Sequence, residues 1–350
     1  MGIKKTILVA PLHWGLGHAT RCIPIINALL ECNYNVLVAS DGGALQLLWK
    51  EFPQLESVEL PSYNITYPKK GSHFKWNMML KLPHFLKVIS SEKRIVESLV
   101  SEGKIDGIIS DNRFGVRSSK IPSVYITHQL NVLTGVTSFL SSKIHQNIIK
   151  RFDECWVPDV EGIGNLSGEL GHVLNLSLPI KYIGLISRMK RIDLQKKYDI
   201  LLLLSGPEPQ RTLLEEKLIA TFRGTTQAVL MVQGCVKSNQ KVKQLKNITI
   251  YNYMVSKELE QAINESELVV SRSGYTTIMD LAALKKKAFF IPTPGQYEQE
   301  YLAERMKELK LAPFCKQEEF TIDKLKEVYL YNGLKSNKQS ISYNELFRLF

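Results

Sequence analysis

Apolar residues along this chain fall in short unbroken runs that end in turn residues and give way to stretches of helical spacing. The first run, residues 5–11 (KTILVAP), has the continuous character of a strand covered on both faces. A loop containing Gly15 and Gly17 follows. A helix is then expected over 21–32, with Thr20 as its N-cap and Pro24 tolerated in the first turn. "NVLVAS" predicts the next strand, "DGGALQLLWKEF" a turn and helix, and "IDGIISDN" and "PSVYITHQ" two further strands. The stretch "LPIKYIGLISRMKRIDLQKK" is basic and poor in strand signals, so it reads as a linker. Beyond it the alternation restarts. "YDILLLLSGPEPQRTLLEEKLIATF" is strand, tight loop and helix, and "AVLMVQG", "NITIYNY", "SELVVSRSG" and "AFFIPTPG" are further strands.

This pattern predicts an α/β protein of two doubly wound, Rossmann-like domains facing a cleft. The expected boundaries are an N-terminal domain over 1–182, a linker over 183–197 and a C-terminal domain over 198–350. The last helix is expected to pack back on the first domain. Ligands of such sheets sit at the carboxyl ends of the strands, so the cleft is where chemistry is expected.

Composition adds a partner class. The 350 residues carry a formal net charge of +11, an excess that suits nucleotides or an anionic membrane surface. No RNA- or DNA-binding motif accompanies the charge, so nucleic acid is not expected. The five cysteines are scattered and lack any CxxC spacing, which excludes a disulfide framework and a zinc site and fits a reducing compartment. The opening "MGIKKTILVAPL" reads as the first buried strand rather than a signal peptide, and no apolar stretch approaches transmembrane length. The chain is therefore expected to be cytoplasmic or bound to the membrane from that side.

Two constellations carry chemistry. "HWGLGHATR" places Gly15 and Gly17, which let the backbone approach a ligand, beside His13 and His18 at a helix start, where amides and dipole favour an anion. It lacks the third glycine of a dinucleotide fingerprint, and the chain has no GK[ST] of a P-loop. The second is "SRSGYTTIMDLAALKKKAFFIPTPGQYEQEYLAE". There Ser271, Ser273, Gly274 and Thr276 can turn donors toward a diphosphate over the N-terminus of a helix expected at 275–284. Asp280 lies within that helix, placed to accept ribose hydroxyls, and Gln299 and Glu300 open the next helix, placed to bond a sugar.

Together these segments resemble the MurG-like inverting GT-B glycosyltransferases of family 28 type, over most of the chain. The resemblance implies the GT-B fold and transfer of a sugar from a nucleotide-sugar donor to an acceptor hydroxyl on a lipid-linked or cell-envelope glycan. The implied donor is UDP-linked, with UDP-N-acetylglucosamine the model. It implies no cofactor and no metal, and the chain shows no DxD triplet or metal-spaced His/Cys cluster. By the resemblance, His18 faces the diphosphate and acceptor, and Ser271, Arg272, Ser273 and Gly274 form the donor-phosphate turn with Tyr275 and Thr276. Asp280 stands where the family has a ribose-binding glutamate, and Gln299 and Glu300 match a glutamine pair on the donor sugar. Tyr251 falls where backbone atoms pinch the base. His128 and Gln129 resemble an acceptor-side His-Gln region, with His13, Gly15, Gly17 and Asn112 on the same side of the cleft.

One departure concerns the second-domain loop, "LSGPEPQR". Pro207 and Pro209 offer no N–H, so the phosphate cradle there falls to Ser205, Gly206 and Arg211. The base is His18 or Asp111. His18 serves equally well as a phosphate or acceptor contact, and Asp111 as a cap or turn former. Residues 74–87 mix Trp76, Phe74 and Phe85 with Lys75, Lys81 and Lys87, a composition suited to anionic headgroups. A same-fold nucleotide-sugar 2-epimerase and a non-catalytic nucleotide-sugar-binding protein are the competing readings.

Overall fold

The computed structural model describes residues 4–64, 82–173, 176–236, 239–335 and 342–350. In the first half, β1 (Thr6–Pro11), α1 (Gly17–Glu31), β2 (Asn35–Ser40), α2 (Gly42–Glu51) and β3 (Ser57–Glu59) come in order. They are followed by α3 (Leu82–Ser101), β4 (Gly107–Asp111), β5 (Ser123–Ile126), α4 (Ser138–Ile149), β6 (Glu154–Val157) and β7 (Ile180–Tyr182). The seven strands form one sheet, order β3-β2-β1-β4-β5-β6-β7, with every pair parallel. The unbroken apolar run of β1 is explained by this place: Ile7, Leu8, Val9 and Ala10 are fully buried between the sheet's two helical layers.

The second half supplies β8 (Tyr198–Leu203), α5 (Gln210–Phe222), β9 (Val229–Val232), β10 (Val242–Leu245), β11 (Ile248–Tyr251) and α6 (Ser256–Asn264). It ends with β12 (Ser266–Ser271), α7 (Tyr275–Ala283), β13 (Lys287–Phe290) and α8 (Tyr297–Glu308). Their order is β10-β11-β9-β8-β12-β13, parallel except for the antiparallel hairpin β10–β11. The architecture is the expected pair of doubly wound α/β domains. The strand-poor stretch beginning at residue 178 opens with β7, which pairs with β6 at the sheet edge inside the expected first domain.

Helix α1 also starts earlier than its pattern suggests. Its N-cap position is Leu16, and Thr20 bonds back to the Gly17 carbonyl (2.9 Å) inside the helix instead of capping it. Pro24 consequently sits in the second turn, where it withholds an N–H from the Thr20 carbonyl.

The C-terminal segment returns to the first domain. Phe347 and Phe350 pack against Trp156 of β6, and a Cβ at Gly107 would collide with the Phe350 ring. Other contacts close the domains on each other. The Tyr275 hydroxyl donates to the Pro158 carbonyl (3.0 Å), the Ser256 backbone N–H donates to Glu51 (2.7 Å), and the Glu169 N–H donates to the Tyr301 hydroxyl (2.8 Å).

Candidate active site

In each sheet the strand order reverses direction at one place: between β1 and β4 in the first, between β8 and β12 in the second. Loops leaving the carboxyl ends of strands at such a point splay apart and leave a crevice. The two crevices face each other. The loop after β1 carries Gly15 and Gly17, the loop after β8 carries Ser205 and Gly206, and α7 begins after β12. A cavity of about 330 Å³ lies among them, lined by Gly15, Gly17, His18, Ser205, Gly206 and Thr276 with others named below. The glycine loops nearly touch: a Cβ on Gly15 would lie 3.9 Å from the Gly206 Cα. Gly206 has φ +103°, a backbone open to glycine alone at low cost, and nothing fills the space where its Cβ would be.

Helices α1 and α7 point their N-termini into this space. Neither has a side-chain cap or an acid in its first turn, so the orphan amides of both are left for a ligand. They meet where the Thr276 hydroxyl donates to the Gly17 carbonyl (3.1 Å). Helix α8 also starts at the cavity, through Gln296, Glu298 and Gln299. Its first turn holds Glu298 and Glu300, which already answer its dipole.

Opposite α7 stands a charged network. Asp111 ends β4 fully buried, and its Oδ1 lies 2.7 Å from His18 Nδ1. Arg21, one turn after His18 on α1, donates to both Asp111 oxygens and, through Nη1, to His128 Nδ1 (2.9 Å). Burial alone would raise the Asp111 carboxyl, but the Arg21 and His18 charges outweigh it and hold it well below the usual carboxylate range. Asp111 is therefore an ionised, pure acceptor, which favours the His18 proton on Nδ1, although the same nitrogen also lies 2.8 Å from Arg21 Nη2. The His18 pKa is lowered, by burial first, against the opposing pull of Asp111. Both effects favour a neutral imidazole, and a proton on Nδ1 would leave the lone pair on Nε2.

His128 completes a bridge between domains. Having accepted from Arg21, it donates through Nε2 to Glu298 Oε1 (2.8 Å), and its ring stacks on Tyr275 at 4.4 Å between centroids. Burial pushes the Glu298 carboxyl up, yet the hydrogen bond and charge of His128 bring it below its ordinary value. Glu298 and Arg21 were not singled out in the sequence. Arg21 had a signal, since it follows His18 by three residues on one helix face.

On the α7 side, Asp280 lines the cavity, accepts from the Ser187 hydroxyl (2.6 Å) and lies in the field of Arg188. Burial raises its carboxyl, only partly opposed by Arg188 and Ser187. Arg188 belongs to the stretch read as linker, lines the cavity and donates to the Ser256 hydroxyl (3.1 Å). Its Nε is buried with no partner among the described residues.

The structure brings together His18, Gly15, Gly17, Asn112, His128, Gln129, Ser205, Gly206, Gly274, Tyr275, Thr276, Asp280 and Gln299 as cavity lining, with Asp111 directly behind His18. Other expected residues lie elsewhere, each for a local reason. Arg272 is fully buried and turns its guanidinium away from the cleft, to the Ile291, Pro292 and Gln210 carbonyls and the Gln317 side chain. Burial lowers its pKa to about 9. Ser271 bonds the Arg272 carbonyl, and Ser273 bonds the Gln299 carbonyl (2.7 Å), so both hydroxyls fix the turn. Arg211 is held by Glu215 on its own helix face and by Glu208 in the loop before it. Glu300 accepts from the Gly295 N–H at the helix start (3.1 Å). Tyr251 packs against the core, and Tyr253 and Met254 line the cavity in its stead. His13 bonds Asp41 and accepts the Gly43 amide, fixing the start of α2. Of the stretch 74–87, residues 74–81 lie outside the described residues. Leu82 and Leu86 are exposed, while Phe85 lines the cavity.

Among the described residues no three His, Cys, Asp or Glu side chains are grouped to hold a metal ion, and no helix is long and apolar enough to cross a membrane.

Comparison with known proteins agrees with this geometry. Residues 209–345 match the glycosyltransferase family 28 C-terminal domain. A relative from Buchnera aphidicola subsp. Schizaphis graminum is the UDP-N-acetylglucosamine--N-acetylmuramyl-(pentapeptide) pyrophosphoryl-undecaprenol N-acetylglucosamine transferase. It is 26% identical over 66% of this chain and 62% of its own length. Across the first relatives the chain spans between 55% and 62% of their length. Among solved structures, the glycotransferase of kitacinnamycin superposes with a TM-score of 0.64 (14% identity, 94% of this chain and 90% of that one). The MurG of Acinetobacter baumannii superposes with 0.53 (15% identity, 94% and 93%). The chain thus has the GT-B fold, and its residues 209–345 match the glycosyltransferase family 28 C-terminal domain.

Proposed function

We propose that this protein transfers a sugar, with inversion, from a nucleoside-diphosphate sugar to an acceptor hydroxyl. The observation that carries the reading is the convergence of two uncapped, acid-free helix N-termini, α1 and α7, on one cavity that also holds an imidazole–carboxylate pair. The helix ends suit a diphosphate, and the pair suits removal of a proton. Asp280 is offered to the ribose and Gln299 to the sugar. The donor is proposed to be UDP-linked, with UDP-N-acetylglucosamine the first choice from the names of the relatives.

In the proposed step, His18 Nε2 takes the proton of the acceptor hydroxyl as that oxygen attacks the anomeric carbon. The bond from that carbon to the diphosphate breaks on the opposite face, and its electron pair leaves with the nucleotide. Asp111 steadies the imidazolium, and the amides of α7 and α1 receive the growing phosphate charge. Helix dipoles fill the role a metal ion plays in other transferases, so the reaction is proposed to need no cofactor. The acceptor is proposed to be a lipid-linked or cell-envelope glycan met at an anionic membrane surface. Exposed Leu82 and Leu86 on α3 and Phe139, Leu140 and Ile144 beside Lys143 on α4 support that contact.

Incubation with UDP-N-acetylglucosamine and lipid extracts, with free UDP measured, tests the proposal. UDP release that requires an acceptor is the expected result. Interconversion of the donor would make the protein an epimerase, and saturable binding without product would make it a binding protein.

A further inference from the structure

Beyond the dyad the cavity extends into the first domain, where Leu12, Trp14, Tyr63, Phe85, Phe114 and His145 line it. Four of these six are aromatic and three of the rings lean on one another: Tyr63 meets Phe85 at 5.8 Å and Phe114 edge-on at 6.3 Å between centroids. Charge is kept behind this wall. Arg113 is paired with Asp41 and Glu92, and the Tyr63 hydroxyl donates to Glu92 (2.8 Å).

His145 is the exception in polarity. It projects from α4, is 8% exposed, and meets Phe114 and Tyr125 edge-on at 5.8 and 5.9 Å. Its ring bonds the Gln129 backbone, yet its Nε2 is buried with no partner among the described residues. A neutral imidazole whose proton is committed to a carbonyl presents a bare lone pair on its other nitrogen. A buried acceptor left so is costly, and a native protein that keeps one keeps it for a reason. The arm adjoins the dyad: Tyr125, against which His145 packs, donates to Asn112 (3.0 Å), and Asn112 reaches His18 at 3.4 Å.

We propose that this arm binds a flat, uncharged apolar ring, and that His145 Nε2 accepts a hydrogen bond from an O–H or N–H on that ring. Binding of such a ring is independent of the transferase reading and of its glycan acceptor. Among the described residues the arm offers no unpaired cation to a phosphate.

The test uses the full chain and two probes, 2-naphthol and 2-methoxynaphthalene, titrated calorimetrically with UDP as a separate ligand. The expected result is naphthol binding about tenfold tighter than its methyl ether, the worth of one hydrogen bond. His145→Phe brings the two within twofold and leaves UDP affinity unchanged. His145→Gln retains an acceptor oxygen and part of the preference, which keeps the test open should the phenylalanine variant fold poorly. Failure of both naphthalenes to bind, or a preference that survives His145→Phe, overturns the proposal. So does His145-dependent binding of methyl N-acetylglucosaminide in their place. Loss of UDP binding with the naphthol preference intact would instead remove the donor reading and leave the arm standing.

Discussion

Replacing Asp111 by Asn tests the centre of the site. The carboxylate is fully buried and answers two groups at once, Arg21 through both oxygens and His18 through Oδ1. Asparagine keeps one acceptor, removes the charge and turns N–H groups toward donors. Breaking a buried ion pair from one side costs about 3–5 kcal/mol, and since Arg21 is only 1% exposed it has no water to fall back on. The folded protein should therefore lose about that much stability, read as a shift in urea midpoint. The rate should fall further than stability explains, because His18 loses the anion that fixes its tautomer and steadies its protonated form. A general base is worth about 10²–10⁴, so acceptor-dependent UDP release should drop by that factor with UDP affinity unchanged. The pH profile carries its own sign. Asp111 is depressed in the folded state, so its stabilisation is complete above the ordinary carboxylate range and is lost only as pH falls through its lower folded value. The variant should lack that acid limb. A folded variant that still turns over within tenfold of the parent refutes the assignment of the pair as the base; equal loss of UDP binding reduces Asp111 to a structural anchor of the cleft.

Other outcomes follow from the same geometry. His145 is held at about 4 by burial, below its unfolded value of about 6.5, so stability falls as pH drops from 6.5 toward 4; at pH 5 this amounts to about 2 kcal/mol. His145→Phe should lose correspondingly less between pH 7.5 and 5 in urea titrations, and parallel pH curves would refute the burial argument. Asp280→Ala should weaken UDP about tenfold or more while weakening 2′-deoxy-UDP less; equal losses count against a ribose contact. Glu298→Gln breaks the charge on the His128 bridge and should cut kcat/KM by about 5–30-fold, with Glu298→Ala worse. Indistinguishable kinetics for both would mean the bridge is incidental. UDP affinity should change less than threefold between 50 and 300 mM salt, because the cradle is built of amides; a steep salt slope would point to free cations instead.

Much of this architecture was legible in the chain. Runs such as TILVAP and DILLLL can only be strands covered on both faces, and each ends in a loop that begins a helix. The two glycine turns and the α7 start follow from that grammar. What escaped was pairing across distance. Nothing near Arg272 in sequence shows that its guanidinium turns back to three carbonyls, since those acceptors come from residues 210, 291 and 292. Arg211 is the opposite case: Glu215 stands four after it on the face of α5, so that pairing could have been read directly, while Glu208 reaches it from the loop before the helix. His128 was placed near the acceptor by its strand-end position, but its partner Glu298 lies 170 residues on. Such a contact exists only once the domains have closed.

In the proposed reading, that closure leaves the diphosphate chiefly to backbone amides, because the cleft arginines among the described residues are paired or partly paired. The net charge of +11 invites a cleft lined with lysine and arginine. The arginines that line it are engaged instead: Arg21 by Asp111, Arg188 in the field of Asp280 and Glu51. An arginine paired in this way cannot swing onto a phosphate without exposing a buried carboxylate, so the pairs hold the walls rigid and leave the charge of the ligand to the amides of α1 and α7. Amides fixed in a helix need no reorientation as charge builds on a leaving group, which is the condition for favouring the transition state over the bound donor. The same pairs tie the two domains: Arg21 reaches Glu298 of the second domain through His128, and Glu51 of the first reaches Ser256 of the second. The contacts that hold His18 and those that tie the domains thus form one continuous network, through Asp111, Arg21, His128 and Glu298.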